Sequence, residues 1–277
     1  MRSGASGIAR RDEPLARHTT YRIGGPAALF VQCDTVAGLA LTLETLADCE
    51  IEWTVLGSGS NVLAADEGYQ GAVIVLGKDF KRHAVEGERI VAGAGVILAA
   101  LVQEAFKRGL TGMEFAVGVP GTLGGALVMN AGSRDDWIGT RVERVTLYAP
   151  GEGLVSLRGS EVAWRYRRTN LPARGVVVEA SLALSEGDAD QIRRTMEAAL
   201  RRRKRTQPLG QPNAGSVFVN PPGDSAGRLI EASGLKGAGV GGAVISDVHA
   251  NFIVNTGGGT AADVLGLVRL VRDTVEA

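Results

Sequence analysis

The chain has 277 residues, 39 of them glycine, with hydrophobic side chains at 45% and aromatic ones at 5%. Its 30 lysines and arginines balance 30 aspartates and glutamates, which argues against a general binder of nucleic acid or of an anionic membrane and points to a small-molecule partner. Two cysteines outside any CxxC pair and three isolated histidines speak against a disulfide framework or a metal site, so no metal is expected. No run of ~18 apolar residues and no N-terminal apolar segment of a secretion signal occurs, so a soluble cytoplasmic protein is expected.

The length exceeds one typical domain of about 100–200 residues, so two or three subdomains are expected. A strand is predicted over 28–33 (ALFVQC), then a helix capped by Asp34 or Thr35 with Val36, Leu39, Leu43, Leu46 and Ala47 on one face. Two short strands, 51–57 (IEWTVLG) and 72–77 (AVIVLG), bracket a loop rich in glycine and serine. A second zone opens with RIVAGAG (89–95) and a helix whose Leu98, Leu101, Val102, Ala105 and Phe106 are periodic, ending at Gly109 in a C′ position. AVGVPGTLGGALVMNAG (116–132) follows, too loose for a good helix and too glycine-rich for a strand. Strand-like runs occupy 142–149, 153–157 and 175–184. From about 188 the pattern changes to a helix through RRTMEAALRRRKR, a Pro/Gly loop, a helix near 224–233, the run ANFIVN (250–255) and a last helix in 260–276. The reading is one α+β enzyme with interleaved subdomains.

The glycine loops carry the functional signal. VAGAGVILAALV starts like a dinucleotide fingerprint, but Leu98 stands where the third glycine belongs and no acidic residue follows at a strand end, so a tight strand-to-helix turn is the better reading. In LGSGSNVL (56–63), Gly57, Ser58, Gly59, Ser60 and Asn61 follow a strand directly, where successive N–H groups and hydroxyls can form an anion-binding nest; alone, such a cluster is equally a turn. Gly118, Gly121, Gly124 and Gly125 let a second backbone segment approach a flat or phosphorylated ligand, and Asn130 adds amide donors and acceptors. One large cofactor spanning both loops would account for both.

Seven blocks in order then make the resemblance specific: TTYRIGGPA (19–27), LGSGSNVL (56–63), GVPGTLGGALVMNAG (118–132), YRRTNL (166–171), NAGSVFVNP (213–221), AGRLIEASGLKG (226–237) and HANFIVN (249–255). Together they resemble the motif set of the UDP-N-acetylenolpyruvoylglucosamine reductase family, in the shorter form that lacks a tyrosine-bearing substrate loop. The resemblance implies a vanillyl-alcohol-oxidase-type (PCMH-type) FAD-binding domain in two α/β lobes, 14–78 and 79–187, and a C-terminal α+β substrate-binding domain, 188–277. It implies FAD held by Gly57, Ser58, Gly59, Ser60, Asn61 and Val62 and by Gly118, Val119, Pro120, Gly121, Thr122, Gly124, Gly125, Asn130 and Gly132. Neither loop contains His, Cys or Tyr, so the flavin is expected to be noncovalent.

The activity implied is reduction of UDP-N-acetylglucosamine enolpyruvate to UDP-N-acetylmuramate by NADPH, in peptidoglycan precursor synthesis. By the same resemblance Arg167 is the catalytic arginine; without it, Arg167 reads as a surface arginine beside Arg165 and Arg168. Ser216 matches the proton donor, where on its own it would be a turn serine. Tyr166, Arg167, Asn220 and His249 are the expected substrate contacts, although Tyr166 could equally pack in the core and Asn220 before Pro221 is ordinary turn chemistry. Arg201, Arg202, Arg203, Lys204 and Arg205 suit a solvated helix end, with attraction of the UDP diphosphate as the alternative.

Two departures accompany the resemblance. Thr206 and Val219 stand where the family often has lysine, and the chain ends at VRDTVEA, before the short strand on which the family usually carries a catalytic glutamate. The alternative function is therefore a catalytically impaired or differently specific FAD-binding relative. A monomer is expected, with UDP-sugar and NADPH sharing one pocket and no nucleic acid or membrane partner.

Overall fold

In a computed structural model that describes residues 7–133 and 136–276, the chain opens with strands β1 (Gly7–Pro14) and β2 (Pro26–Cys33) and helix α1 (Val36–Asp48). Thr35 is the N-cap, its hydroxyl accepting from the Gly38 N–H at 3.0 Å. Asp34 is buried beside it and is spent elsewhere, on Lys78 Nζ at 3.0 Å and Gln32 Nε2 at 2.8 Å. Leu39, Leu43 and Leu46 face the core as their spacing predicts, whereas Ala47 lies one step round the helix and is exposed.

Next come β3 (Trp53–Val55), β4 (Tyr69–Leu76), β5 (His83–Glu86), β6 (Arg89–Gly93), α2 (Leu98–Lys107) and β7 (Leu110–Thr111). Gly109 follows α2 with φ +68°, the left-handed stop expected there. The glycine-rich run differs from its sequence reading, because residues 123–128 form a short helix, α3 (Leu123–Val128). Two glycines disfavour it, but Thr122 caps it through the Gly125 N–H at 3.3 Å, and Leu123 and Leu127 are fully buried. Burial of about 1.5–3 kcal/mol per leucine outweighs the helix penalty of about 1 kcal/mol per glycine. Strands β8 (Val142–Ala149), β9 (Gly153–Arg158), β10 (Val176–Ala183) and β11 (Ser185–Glu186) and helix α4 (Ala189–Thr206) complete this part.

The C-terminal stretch contains β12 (Asn213–Ser216), α5 (Ala226–Ala232), β13 (Gly239–Val240), β14 (Ala243–Ile245), β15 (Phe252–Asn255) and α6 (Ala261–Glu276). Ala277, the expected end of the third domain, lies outside the described residues.

Two compact units result, the first mainly Leu29–Gly57 and Gly71–Leu200, the second Asp12–Ala28, Ser58–Gln70 and Arg201–Ala277. The first holds a sheet of order β1-β2-β4-β3, with β3 parallel to β4, and an antiparallel sheet of order β5-β6-β10-β8-β9. Leu43, Ile74, Ile90, Leu101, Leu127 and Leu147 belong to its single core. In the second, an antiparallel sheet of order β12-β15-β14-β13 shares a core with α5 and α6, built on Ile230, Ile245, Ile253, Val264 and Leu267 together with Tyr21 and Ile23. The chain enters this unit within β1, just after β3 and within α4, and leaves it within β2 and β4, so segments far apart in sequence share one core. Among the described residues no helix is long and apolar enough to cross a membrane, and no three His, Cys, Asp or Glu side chains are grouped to hold a metal ion.

Candidate functional site

The expected site residues fall into two groups, one in each unit. In the first unit, the segment 118–132 runs through α3 and returns at Asn130. Gly118, Pro120 and Gly125 are exposed, whereas Thr122 and Asn130 are buried. Gly57 owes its lack of a side chain to this segment, since a Cβ there would stand 2.7 Å from Thr122 Oγ1. The two glycine loops therefore meet through protein atoms at Gly57.

Arg167 sits in a two-residue turn, closed by Arg165 N to Arg168 O at 2.9 Å and Arg168 N to Arg165 O at 3.2 Å. Its φ of +58° is left-handed, a conformation that costs a non-glycine residue about 1–2 kcal/mol and that recurs where function fixes the backbone. The guanidinium donates from Nη1 to Gly132 O at 2.9 Å, and its carbon lies 5.2 Å from the centroid of the Tyr166 ring. Tyr166 is 49% exposed, so it packs on the arginine rather than in a core. Asn130, itself left-handed at φ +43°, accepts from the Gly139 N–H and donates Nδ2 to Arg165 O at 3.1 Å. Its amide is thus committed to the protein at one bond per end.

In the second unit the loop after Gly57 is tied down by partners remote in sequence. Gly59, at φ +63°, passes so close to His18 that a Cβ would lie 2.1 Å from the His18 carbonyl oxygen. Thr20 donates its backbone N–H to Gly59 O at 3.1 Å and its hydroxyl to Asn213 O at 2.7 Å, linking this loop to the start of β12. Further along, Asp66 accepts from the Ala261 and Ala262 N–H groups at 2.7 and 2.9 Å and so caps α6. The Ser58 hydroxyl is buried without a hydrogen-bond partner, an orphan that a phosphate or sugar oxygen would satisfy.

Ser216 is exposed at the end of β12, paired with Phe252 after the left-handed Gly215. The residues after it are gripped by Asn251, 3% exposed, whose carbonyl accepts from Val217 N at 2.9 Å and whose amide exchanges 2.8 Å bonds with Phe218 N and O. His249 accepts from the Asn251 N–H at Nδ1, 3.1 Å, so its neutral ring carries the proton on Nε2. Burial first, and Lys236 second, hold its pKa below the usual value. Asn220 uses Oδ1 to accept from Ala226 N at 3.0 Å, at the start of α5. Of the side features, Glu231 pairs with Lys236 at 2.7 Å, Thr206 donates to Arg202 O, Val219 is exposed, and Arg201 to Arg205 end α4.

Asn251, Thr20 and Asp66 are site-building residues that the sequence did not reveal. Each is polar inside a motif or loop, but their partners lie 33, 193 and 195 positions away. A pocket of about 580 Å³ in the first unit, lined by Thr111, Glu114, Arg141, Asp188 and Gln191 among others, contains none of the expected site residues.

Residues 27–151 match the profile of an FAD binding domain. The fold is shared with 6-hydroxy-D-nicotine oxidase from Arthrobacter nicotinovorans, at 20% identity and a TM-score of 0.51 over 67% of this chain and 44% of that one. The protein is therefore an α+β protein with an FAD-binding domain of the PCMH type. Residues 207–277 match the C-terminal domain of UDP-N-acetylenolpyruvoylglucosamine reductase. Reductases of that name from Anaeromyxobacter sp. (strain Fw109-5) and Heliobacterium modesticaldum are 46% and 45% identical, over 98% and 96% of this chain and 85% and 86% of their own length. The crystal structure of the reductase from Thermus caldophilus, 39% identical, superposes with a TM-score of 0.86 over 97% of this chain and 95% of that one. The chain belongs to the UDP-N-acetylenolpyruvoylglucosamine reductase family.

Proposed function

We propose that this protein reduces the enolpyruvyl ether of UDP-N-acetylglucosamine to UDP-N-acetylmuramate at the expense of NADPH, using noncovalent FAD, as a step of peptidoglycan precursor synthesis. The observation that carries the reading is 46% identity to such a reductase along 98% of the chain. The residues present fit the flavin nucleotide. Ser58 offers a buried, unpartnered hydroxyl, and Gly57, Gly118 and Gly125 expose backbone with no side chain in the way. The holding set is Gly57 to Val62 with Gly118 to Gly125, and the backbone of Asn130 and Gly132 at the end of the second loop, the Asn130 side-chain amide being taken up by Gly139 and Arg165. When bound, FAD supplies hydride relay from NADPH to the vinyl CH2 of the substrate.

The chain's own residues handle the charge that this transfer creates. Negative charge develops on the ether-bearing carbon and spreads into its carboxylate. The Arg167 guanidinium, permanently charged and forked, stabilises that enolate-like state. The Ser216 hydroxyl gives its proton to the carbon and completes addition across the double bond. A hydroxyl is a weak acid, so this role rests on placement within hydrogen-bond reach of a strongly basic carbon. Tyr166, Asn220 and the Nε2–H of His249 are the substrate contacts. Division at 78 and 187, a monomeric state, a cytoplasmic location and one pocket serving both NADPH and substrate belong to the same proposal.

Anaerobic stopped-flow absorbance tests it in two halves. NADPH should bleach the flavin, and the enolpyruvyl substrate should restore its colour. Ser216→Ala should leave the first half within about twofold and slow the second by about 10²–10⁴-fold. A wild-type flavin that is reduced but never reoxidised by this substrate would support the alternative of an impaired or differently specific relative.

A further inference from the structure

Three hydrogen bonds tie the turn that carries Arg167 to the tail of the second glycine loop. Asn130 Nδ2 donates to Arg165 O at 3.1 Å, Arg167 Nη1 to Gly132 O at 2.9 Å, and Thr169 Oγ1 to Val128 O at 3.0 Å. The Arg165 carbonyl, which also closes the turn by accepting from Arg168 N at 3.2 Å, has both lone pairs occupied. Asn130 is 5% exposed, and its Oδ1 is anchored by the Gly139 N–H at 3.2 Å. Two of the five non-glycine residues with positive φ among those described, Asn130 and Arg167, thus stand at the two ends of one bonded assembly. Asn is a residue type that tolerates this conformation while carrying a side-chain donor; arginine has no such preference and must be held.

From this geometry we infer that Asn130 is a positioning residue for Arg167: its amide fixes the Arg165 carbonyl and thereby the left-handed turn that aims the guanidinium. The inference rests on the role proposed above for Arg167 and assigns Asn130 a task distinct from contacting the flavin. The electrostatic effect of a guanidinium depends steeply on placement, and a shift near 1 Å at such a group costs about 10²-fold in rate. Removal of the amide should therefore act on the half-reaction that needs Arg167 and on no other.

The test uses the full chain loaded with FAD, in Asn130→Gly, which keeps the left-handed backbone, and Asn130→Asp, which keeps an acceptor for Gly139 and puts a carboxylate oxygen in place of the donor to Arg165 O. Expected in both are an FAD dissociation constant, by fluorescence titration of apoprotein, and an NADPH reduction rate within about threefold of wild type. Reoxidation by the enolpyruvyl substrate should slow about 10–100-fold. In an Arg167→Lys background, already slow, either change should add less than about threefold, because two residues acting through one group are not additive. Reoxidation at the wild-type rate in both variants would overturn the inference. Equal damage to flavin binding or reduction, or a full multiplicative effect on top of Arg167→Lys, would overturn it too. If Arg167→Lys alone reoxidises like wild type, the role of Arg167 is wrong and the positioning role falls with it, an outcome read in a different protein from the others.

Discussion

Replacing Tyr21 with phenylalanine removes a hydroxyl that the second unit buries without a partner. The side chain is 2% exposed, packed in the core that holds Ile23, Ile230 and Ile253, and its oxygen finds no donor or acceptor. Burial pushes the phenol well above its usual pKa, the titration signature of the same desolvation. An unpaired buried hydroxyl costs about 1–3 kcal/mol. Deleting one oxygen opens roughly 10–15 Å³, which at ~24 cal/mol per Å³ returns about 0.3 kcal/mol of that. The backbone clamp is untouched, because Asn255 Nδ2 bonds the Tyr21 carbonyl, 3.1 Å away, and not the phenol. Tyr21→Phe should therefore stabilise by about 1–2 kcal/mol, against the usual direction of core substitutions, and raise Tm by about 3–6 °C. Urea unfolding followed by circular dichroism reads it as a higher midpoint at an unchanged slope. The increment should be the same with FAD at saturation. A lowered midpoint, or a gain in apoprotein that reverses with FAD bound, would show that the hydroxyl has a partner and refute the reasoning.

Gly59→Ala forces a methyl group to within 2.1 Å of the His18 oxygen at φ +63°; it should cost at least about 2 kcal/mol of stability and weaken FAD at least about tenfold in calorimetric titration of the apoprotein. Asp34, held at about 2 by hydrogen bonds from Gln32 and Lys78, binds its proton later in the folded state than in the unfolded one. Its stabilisation is complete above about pH 4 and lost as pH falls toward 2, so the midpoint gap between wild type and Asp34→Asn should close across that window. For His249 the folded-state pKa is lowered chiefly by burial, so the unfolded chain takes the proton first. Stability should drop as pH falls below about 6.5, and His249→Gln should remove that part of the decline in urea midpoints measured from pH 7 to 5.

Much of the scaffold was legible because its signals are local. The Leu39/Leu43/Leu46 stripe, the glycine stop at Gly109, the strand at 142–149 and the strand Phe252–Asn255 inside the run 250–255 each declare themselves within a few positions. Helix α3 was not, because Thr122 and two buried leucines outweigh a glycine content that reads as loop. The edge strands β1 and β5 were missed for a related reason: their residues are mostly exposed and lack alternation. In the candidate site, the glycine loops and the arginine and serine blocks could be read as motifs, but the clamps could not. Asn130 reaches Arg165 across 35 positions and Asn251 reaches Phe218 across 33, and no local pattern marks an asparagine whose partner is a remote backbone group.

The ties on the first glycine loop also set an order for the protein's birth. Residues 58–66 leave the ribosome long before Asn213 and Ala261, the groups that Thr20 and Asp66 grasp. Synthesis at about 5–20 residues per second leaves that segment waiting on the order of ten seconds or more for its supports. During that interval the nascent chain carries this glycine loop without its remote ties. If this loop holds the flavin as proposed, flavin capture is a late event of biogenesis that follows completion of the second unit.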